Sequence, residues 1–167
     1  MRPRVVITII VLFLVAIVLQ TTLFSQTSIF VPDLVLLAVM LVALTRIRPE
    51  VTLGIAFMAG LVVDLLGSSV LGLRAIVFTI VAFVALRTRQ RADIGRIVTA
   101  LWAGLLTLVG AVLLIVIGTL FGQTVLLGEG VLGLLLLVPV ANAVLAWVFA
   151  PVVVRLIDGD ATAFRYA

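Results

Sequence analysis

The sequence predicts an all-α integral membrane protein with six transmembrane helices, and three observations carry that prediction. Hydrophobic residues make up 65% of the 167 and charged residues only 11%, with a mean hydropathy of +1.51, far outside the range of a water-soluble domain. Apolar runs close to the roughly 20 residues that a spanning helix needs fill nearly the whole chain. No room remains for a soluble domain, so residues 1–167 read as a single transmembrane domain. The basic residues are all arginine, and they fall between the runs with a consistent sidedness. With the N-terminus in the cytoplasm, Arg2, Arg4, Arg46, Arg48, Arg87, Arg89, Arg91, Arg96, Arg155 and Arg165 all lie inside, which is 10 of the 11. An excess of basic residues on the inner side is the expected orientation signal, and it gives an N-in, C-in topology. Only Arg74 breaks it.

The first segment, residues 5–24, follows Arg2 and Arg4. It has the charge and apolar length of a secretory leader, but the following QTTLFSQTS lacks a small-residue cleavage pattern, so it reads as a retained helix. The second, residues 29–45, contains Pro32 and Asp33 near its outer start. Proline suits a first helical turn because its missing N–H would have no partner there, and Asp33 complements the positive helix end. The third segment, residues 51–66, rises only about 24 Å against a hydrocarbon core of about 30 Å. It and the fourth, residues 71–86, form either two short crossings or a re-entrant pair; the arginine count is the same for both. Ala56 and Gly60 supply a small-xxx-small pair that permits close helix packing. Then comes RTRQRADIGR, a cytoplasmic basic loop bearing Arg87, Arg89, Arg91 and Arg96, whose charges orient the chain and suit anionic headgroups. The fifth and sixth segments, residues 97–121 and 131–154, place Trp102 and Trp147 near the inner interface. Pro139 and Asn142 interrupt the sixth, where a freed carbonyl and a side-chain amide favour contacts between helices.

Asp64 and Arg74 put an acid and a base inside one of the most apolar stretches, LVVDLLGSSVLGLRAI. Asp64 lies about 21 Å above Glu50 along helix three, and Arg74 about 20 Å above Arg87 along helix four. The two therefore stand at the same height, joined by a turn that includes Gly67, Ser68, Ser69 and Gly72. Two readings stand. Either the charges pair across the hairpin or meet a partner helix together, as charges in a bilayer usually do, or Arg74 snorkels outward while Asp64 reaches water. The paired reading expects Asp64→Ala to cost more than the Asp64→Ala, Arg74→Ala double change, because the single change strands a charge.

Cysteine and histidine are absent, which removes disulfides, thiol nucleophiles, imidazole bases and the usual zinc or haem ligands. No Gly-rich phosphate loop, nucleophile with a base, or metal-ligand cluster occurs. The reading is therefore non-enzymatic, with no catalytic residues, cofactor or metal. The pI near 11.4 reflects membrane orientation, not nucleic-acid binding.

The order of these pieces carries a resemblance. A first helix ending in Gln20-Thr21-Thr22-Leu23, Pro32-Asp33-Leu34 opening a leucine-rich second helix, and Gly60 through Asp64-Leu65-Leu66 followed by Leu71-Gly72-Leu73 resemble the MreD family of bacterial rod-shape-determining membrane proteins. The chain departs from that pattern at Val70, where members often have proline, and at Arg74, where they often have histidine or an aromatic. The resemblance implies a subunit of the elongation machinery that binds MreC and helps couple MreB filaments to peptidoglycan synthesis, with the elongation glycosyltransferase and a penicillin-binding transpeptidase as associates. It also implies a fold like the substrate-binding membrane subunits of energy-coupling-factor vitamin transporters. That likeness supplies the alternative function, in which the helix-six pair Pro139 and Asn142 and the outer Asp33, Asp64 and Arg74 line a small-molecule pocket.

Overall fold

The computed structural model describes residues 3–22, 32–67, 70–92, 95–123 and 131–159. Expectations for Arg2, SQTS, Ser68 and Ser69, most of GQTVLLGEG, and Arg165 lie outside the described residues. The described chain forms six helices: α1 (Pro3–Thr22), α2 (Leu34–Leu44), α3 (Pro49–Leu66), α4 (Leu73–Ala92), α5 (Arg96–Leu120) and α6 (Val131–Asp158). Among the described residues there is no strand, and α1, α3, α5 and α6 are long and apolar enough to cross a membrane.

Two elements differ from expectation. Helix α2 has only 11 residues, about 16 Å at 1.5 Å per residue, because Pro32 and Asp33 lie before the helix and Asp33 caps it instead of beginning it. The Asp33 carboxylate accepts the Leu36 N–H at 3.0 Å, an N-cap contact that satisfies a donor with no partner inside the helix. Helix α4 runs past residue 86 to Ala92, so Arg87, Arg89 and Arg91 belong to its last turns and not to a loop. Arginine is a good helix former, and the backbone ladder continues where hydropathy falls.

Helix α2 is the centre of the bundle. It packs against all five other helices, and every residue from Val35 to Leu44 is buried. A helix apolar all round is one enclosed on all sides. Its neighbours contribute Phe78, Val81 and Ala82 from α4, Ala103 and Leu106 from α5, and Ala146, Val153 and Val154 from α6. Between apolar helices in lipid, close contact supplies the stabilisation, since lipid solvates their surfaces as well as protein does. Helix α1 is peripheral, with only Ile9, Phe13 and Ala16 buried.

Polar contacts fix which helix ends meet. At one end of the bundle Gln20 of α1 accepts the Val35 N–H at 3.1 Å, and Asp64 of α3 meets the start of α4. At the other, arginine-rich end, Arg89 of α4 donates to the Thr45 carbonyl at 2.9 Å, and Asp158 of α6 accepts the Arg46 N–H through both carboxylate oxygens at 3.1 Å. Both contacts satisfy backbone groups where α2 ends and the chain turns. Trp102 is buried against α4, its Nε1–H donating to Thr88 Oγ1 at 2.9 Å, whereas Trp147 is exposed and free to meet lipid headgroups.

Candidate functional site

The hairpin between α3 and α4 begins from a stripe of small or short residues. Thr52, Ala56, Gly60 and Asp64 recur every fourth position and are all buried, so they share one face of α3. A Cβ on Gly60 would stand 2.5 Å from Ala75 Cα and 2.6 Å from the Arg74 carbonyl oxygen. Only glycine allows that approach of two backbones. One turn later the Asp64 carboxylate, 3% exposed, accepts the Arg74 N–H at 3.0 Å and the Ala75 N–H at 3.4 Å. It thereby caps α4 from another helix, where the positive helix end and charge-assisted hydrogen bonds stabilise a buried anion. Gly67 closes α3 with its N–H on the Val63 carbonyl, and Gly72 takes φ +89°, a left-handed conformation that favours glycine.

Asp64 thus holds the main chain of Arg74, while the guanidinium turns elsewhere. Its Nη1 lies 3.7 Å from Asp33 Oδ2, with the two side chains 28% and 19% exposed. That is an ion pair beyond hydrogen-bond length. Asp33 sits deep: its carbonyl accepts Asn142 Nδ2 at 3.2 Å, and Asn142 lies 11 residues past Val131, about 16 Å along α6 from that end. The same Nδ2 donates to Thr107 Oγ1 on α5 at 3.1 Å, so Asn142 ties α2, α5 and α6 together. Its Oδ1 is buried with no hydrogen-bond partner among the described residues. Pro139 and Asn142 do not interrupt α6, which runs unbroken through both; Pro139 instead marks a close helix approach, since a Cβ on Gly104 of α5 would stand 3.2 Å from its carbonyl oxygen.

These groups border two recesses. One, of about 260 Å³, is lined by Gln20, Asp33, Arg74 and Thr107 on its polar side and by Leu36, Phe78, Leu114 and Val138 among its apolar residues. The other, of about 280 Å³, shares Gln20 and Arg74 and adds Ile17, Val35 and Val63. Sequence reasoning missed Gln20 and Thr107 as members of this cluster. The signal for Gln20 was a neutral polar residue ending an otherwise apolar helix; for Thr107, whose hydroxyl also bonds the Ala103 carbonyl, there was none.

The arginines of α4 serve the opposite end. Arg87 is exposed, with its guanidinium carbon 5.1 Å above the Phe83 ring centroid, within cation–π range. Arg89 caps α2 as described, Arg91 continues the helix, and Arg96 is exposed at the start of α5. The cluster near Asp33, Asp64 and Arg74 is a polar island of two carboxylates, one guanidinium and capping groups, and no cluster of metal ligands occurs among the described residues.

No curated protein and no solved structure matches the chain. A family model described as rod shape-determining protein MreD matches residues 2–158, which takes in all six helices and both ends of the polar island. This multi-pass membrane protein belongs to the MreD family of rod shape-determining proteins.

Proposed function

We propose that the chain is a non-enzymatic subunit of the bacterial rod-shape, or elongation, complex in the cytoplasmic membrane. In this reading it binds MreC and helps couple MreB to peptidoglycan synthesis, beside the elongation glycosyltransferase and a penicillin-binding transpeptidase. All six helices act as crossings, α2 with the aid of its flanking chain, and the arginine-rich end faces the cytoplasm. The observation that carries the reading is the family match over residues 2–158. Two features support an adaptor role. Asp33, Asp64, Asn142 and Arg89 are engaged in holding helices to one another, and large apolar side chains such as Ile10, Leu14, Leu101 and Leu136 remain exposed along the helices. A partner would meet those lateral surfaces, where packing and a few polar contacts drive association.

The test is to tag the chain in its native bacterium, extract it in mild detergent and identify co-purifying proteins by mass spectrometry. Recovery of MreC and the elongation synthases is expected. The recess beside Arg74 favours a second reading, a small-molecule-binding subunit of an energy-coupling-factor transporter with a fold like those subunits. At about 260 Å³ the recess falls short of the roughly 300 Å³ at which drug-sized pockets begin, and Phe78 is its one aromatic wall among the described residues. Recovery of a coupling membrane protein with paired ATPases, without MreC, would replace the first reading by the second.

A further inference from the structure

A third space adjoins the second of the two recesses beside Arg74. Between α1 and α3 runs a groove of about 690 Å³ whose lining is apolar, including Ile9, Phe13, Val51, Met58 and Val62. Ile17 lines both this groove and the second recess, and Val62 and Val63 follow one another along α3. Gln20 and Arg74 in turn line both recesses. The second recess therefore adjoins, at Ile17, an apolar trough that follows α3 from Val62 back to Val51, about 16 Å by helix rise. Gly54 widens the trough, since a Cβ there would meet nothing within 4 Å. A polar end and an apolar tail in line describe an amphiphile, and the length of trough suits an acyl chain lying along the helices.

The polar end also specifies a headgroup. The Arg74 guanidinium makes no hydrogen bond to a described residue and one loose ion-pair contact, so most of its five N–H donors are unspent. Gln20 uses its Oε1 on the Val35 N–H, which leaves its amide donors. Asp33 spends Oδ1 on the Leu36 N–H, while Oδ2, the atom nearest Arg74, retains acceptor capacity. The start of α2 adds positive potential at this depth, as buried half-helix ends do in membrane binding sites. Donors for an anion thus stand directly beside a carboxylate that would take a cation with N–H donors.

We propose that this site holds one zwitterionic phospholipid with a primary ammonium headgroup. Its phosphate lies on Arg74 and Gln20, its ammonium on Asp33 Oδ2, and one acyl chain in the α1–α3 groove. The full chain, purified in mild detergent, is incubated with equal amounts of phosphatidylethanolamine, phosphatidylglycerol and phosphatidylcholine, and retained lipid is read by native mass spectrometry. One phosphatidylethanolamine per chain is expected, about tenfold preferred over the other two. Phosphatidylglycerol offers no cation to Asp33, and the quaternary ammonium of phosphatidylcholine has no N–H. Arg74→Gln lowers retention about tenfold. Asp33→Asn, which keeps an N-cap residue, erases the preference for phosphatidylethanolamine over phosphatidylglycerol. Met58→Trp, at a position 56% exposed in the groove, lowers retention with the headgroup residues intact and keeps the test decisive if Arg74→Gln does not fold. Equal retention of all three lipids by the wild-type chain would overturn the proposal, as would full displacement of the lipid by phosphoethanolamine alone, which would make this a site for a soluble zwitterion.

Discussion

Gly60→Ala tests the close approach of α3 to α4. The added Cβ would lie 2.5 Å from Ala75 Cα, about 0.9 Å inside the 3.4 Å at which ordinary contacts begin, and the obstructing atoms are backbone. No side chain can rotate away, so α3 and α4 must separate by nearly that amount. Asp64 is one turn further along the same face, and its 3.0 Å bond to the Arg74 N–H would stretch to near 4 Å, beyond hydrogen-bond length. Overpacking costs about 1–3 kcal/mol, and buried N–H groups left without an acceptor add about 1–3 kcal/mol. The sum expected is roughly 2–6 kcal/mol. Gly54→Ala is the control, since it lies on the same helix, meets nothing within 4 Å, and should gain about 0.5–1 kcal/mol from lower backbone entropy in the unfolded chain. Thermal unfolding in detergent, followed by fluorescence of buried Trp102, measures both. Equal melting of the two variants would refute the backbone-contact argument.

The Asp64–Arg74 cycle now has a definite sign. Arg74→Ala keeps the N–H that Asp64 accepts, so it should not rescue Asp64→Ala, and Asp64→Asn, which retains an acceptor, should lose less than Asp64→Ala; a double variant more stable than Asp64→Ala would show that the charges interact directly. Asn142→Ala should cost about 1–2 kcal/mol for its lost interhelical bonds. Asn142→Asp should cost more by the same unfolding measurement, because a carboxylate would face the Asp33 carbonyl with no donor of its own. Arg89→Ala should cost about 1 kcal/mol by uncovering the Thr45 carbonyl at the end of α2, whereas Arg87→Ala, whose guanidinium covers an exposed ring, should stay within about 0.5 kcal/mol; equal losses would remove the capping role.

The class and the helices were legible in the sequence because lipid leaves a chain few choices. Every backbone N–H and C=O must be paired within the segment, so apolar runs of sufficient length declare helices, and α1, α3, α5 and α6 begin and end within a few residues of their expected bounds. The closeness of Gly60 to its neighbour was legible too, since small residues one turn apart have one common use between helices. The family resemblance was readable from motifs that lie mostly in the first half of the chain.

Tertiary structure alone decided the partners. Arg74 and Asp33 are 41 positions apart, and nothing local aims a guanidinium at one carboxylate over another. Asp64 was nearer in sequence and at the same height, yet the start of α4 drew it to the main chain, where the dipole and free N–H groups already favoured an anion. The same holds for α2, whose 11 residues rise only about 16 Å and are held in place by the five helices that surround them. Hydropathy reports what a segment tolerates as surroundings, while its length and depth were settled by the capping of its two ends by Asp33 and Arg89. Residue type determined that this protein lives in a membrane; which of its few charges meet was left to the packing of helices distant in sequence.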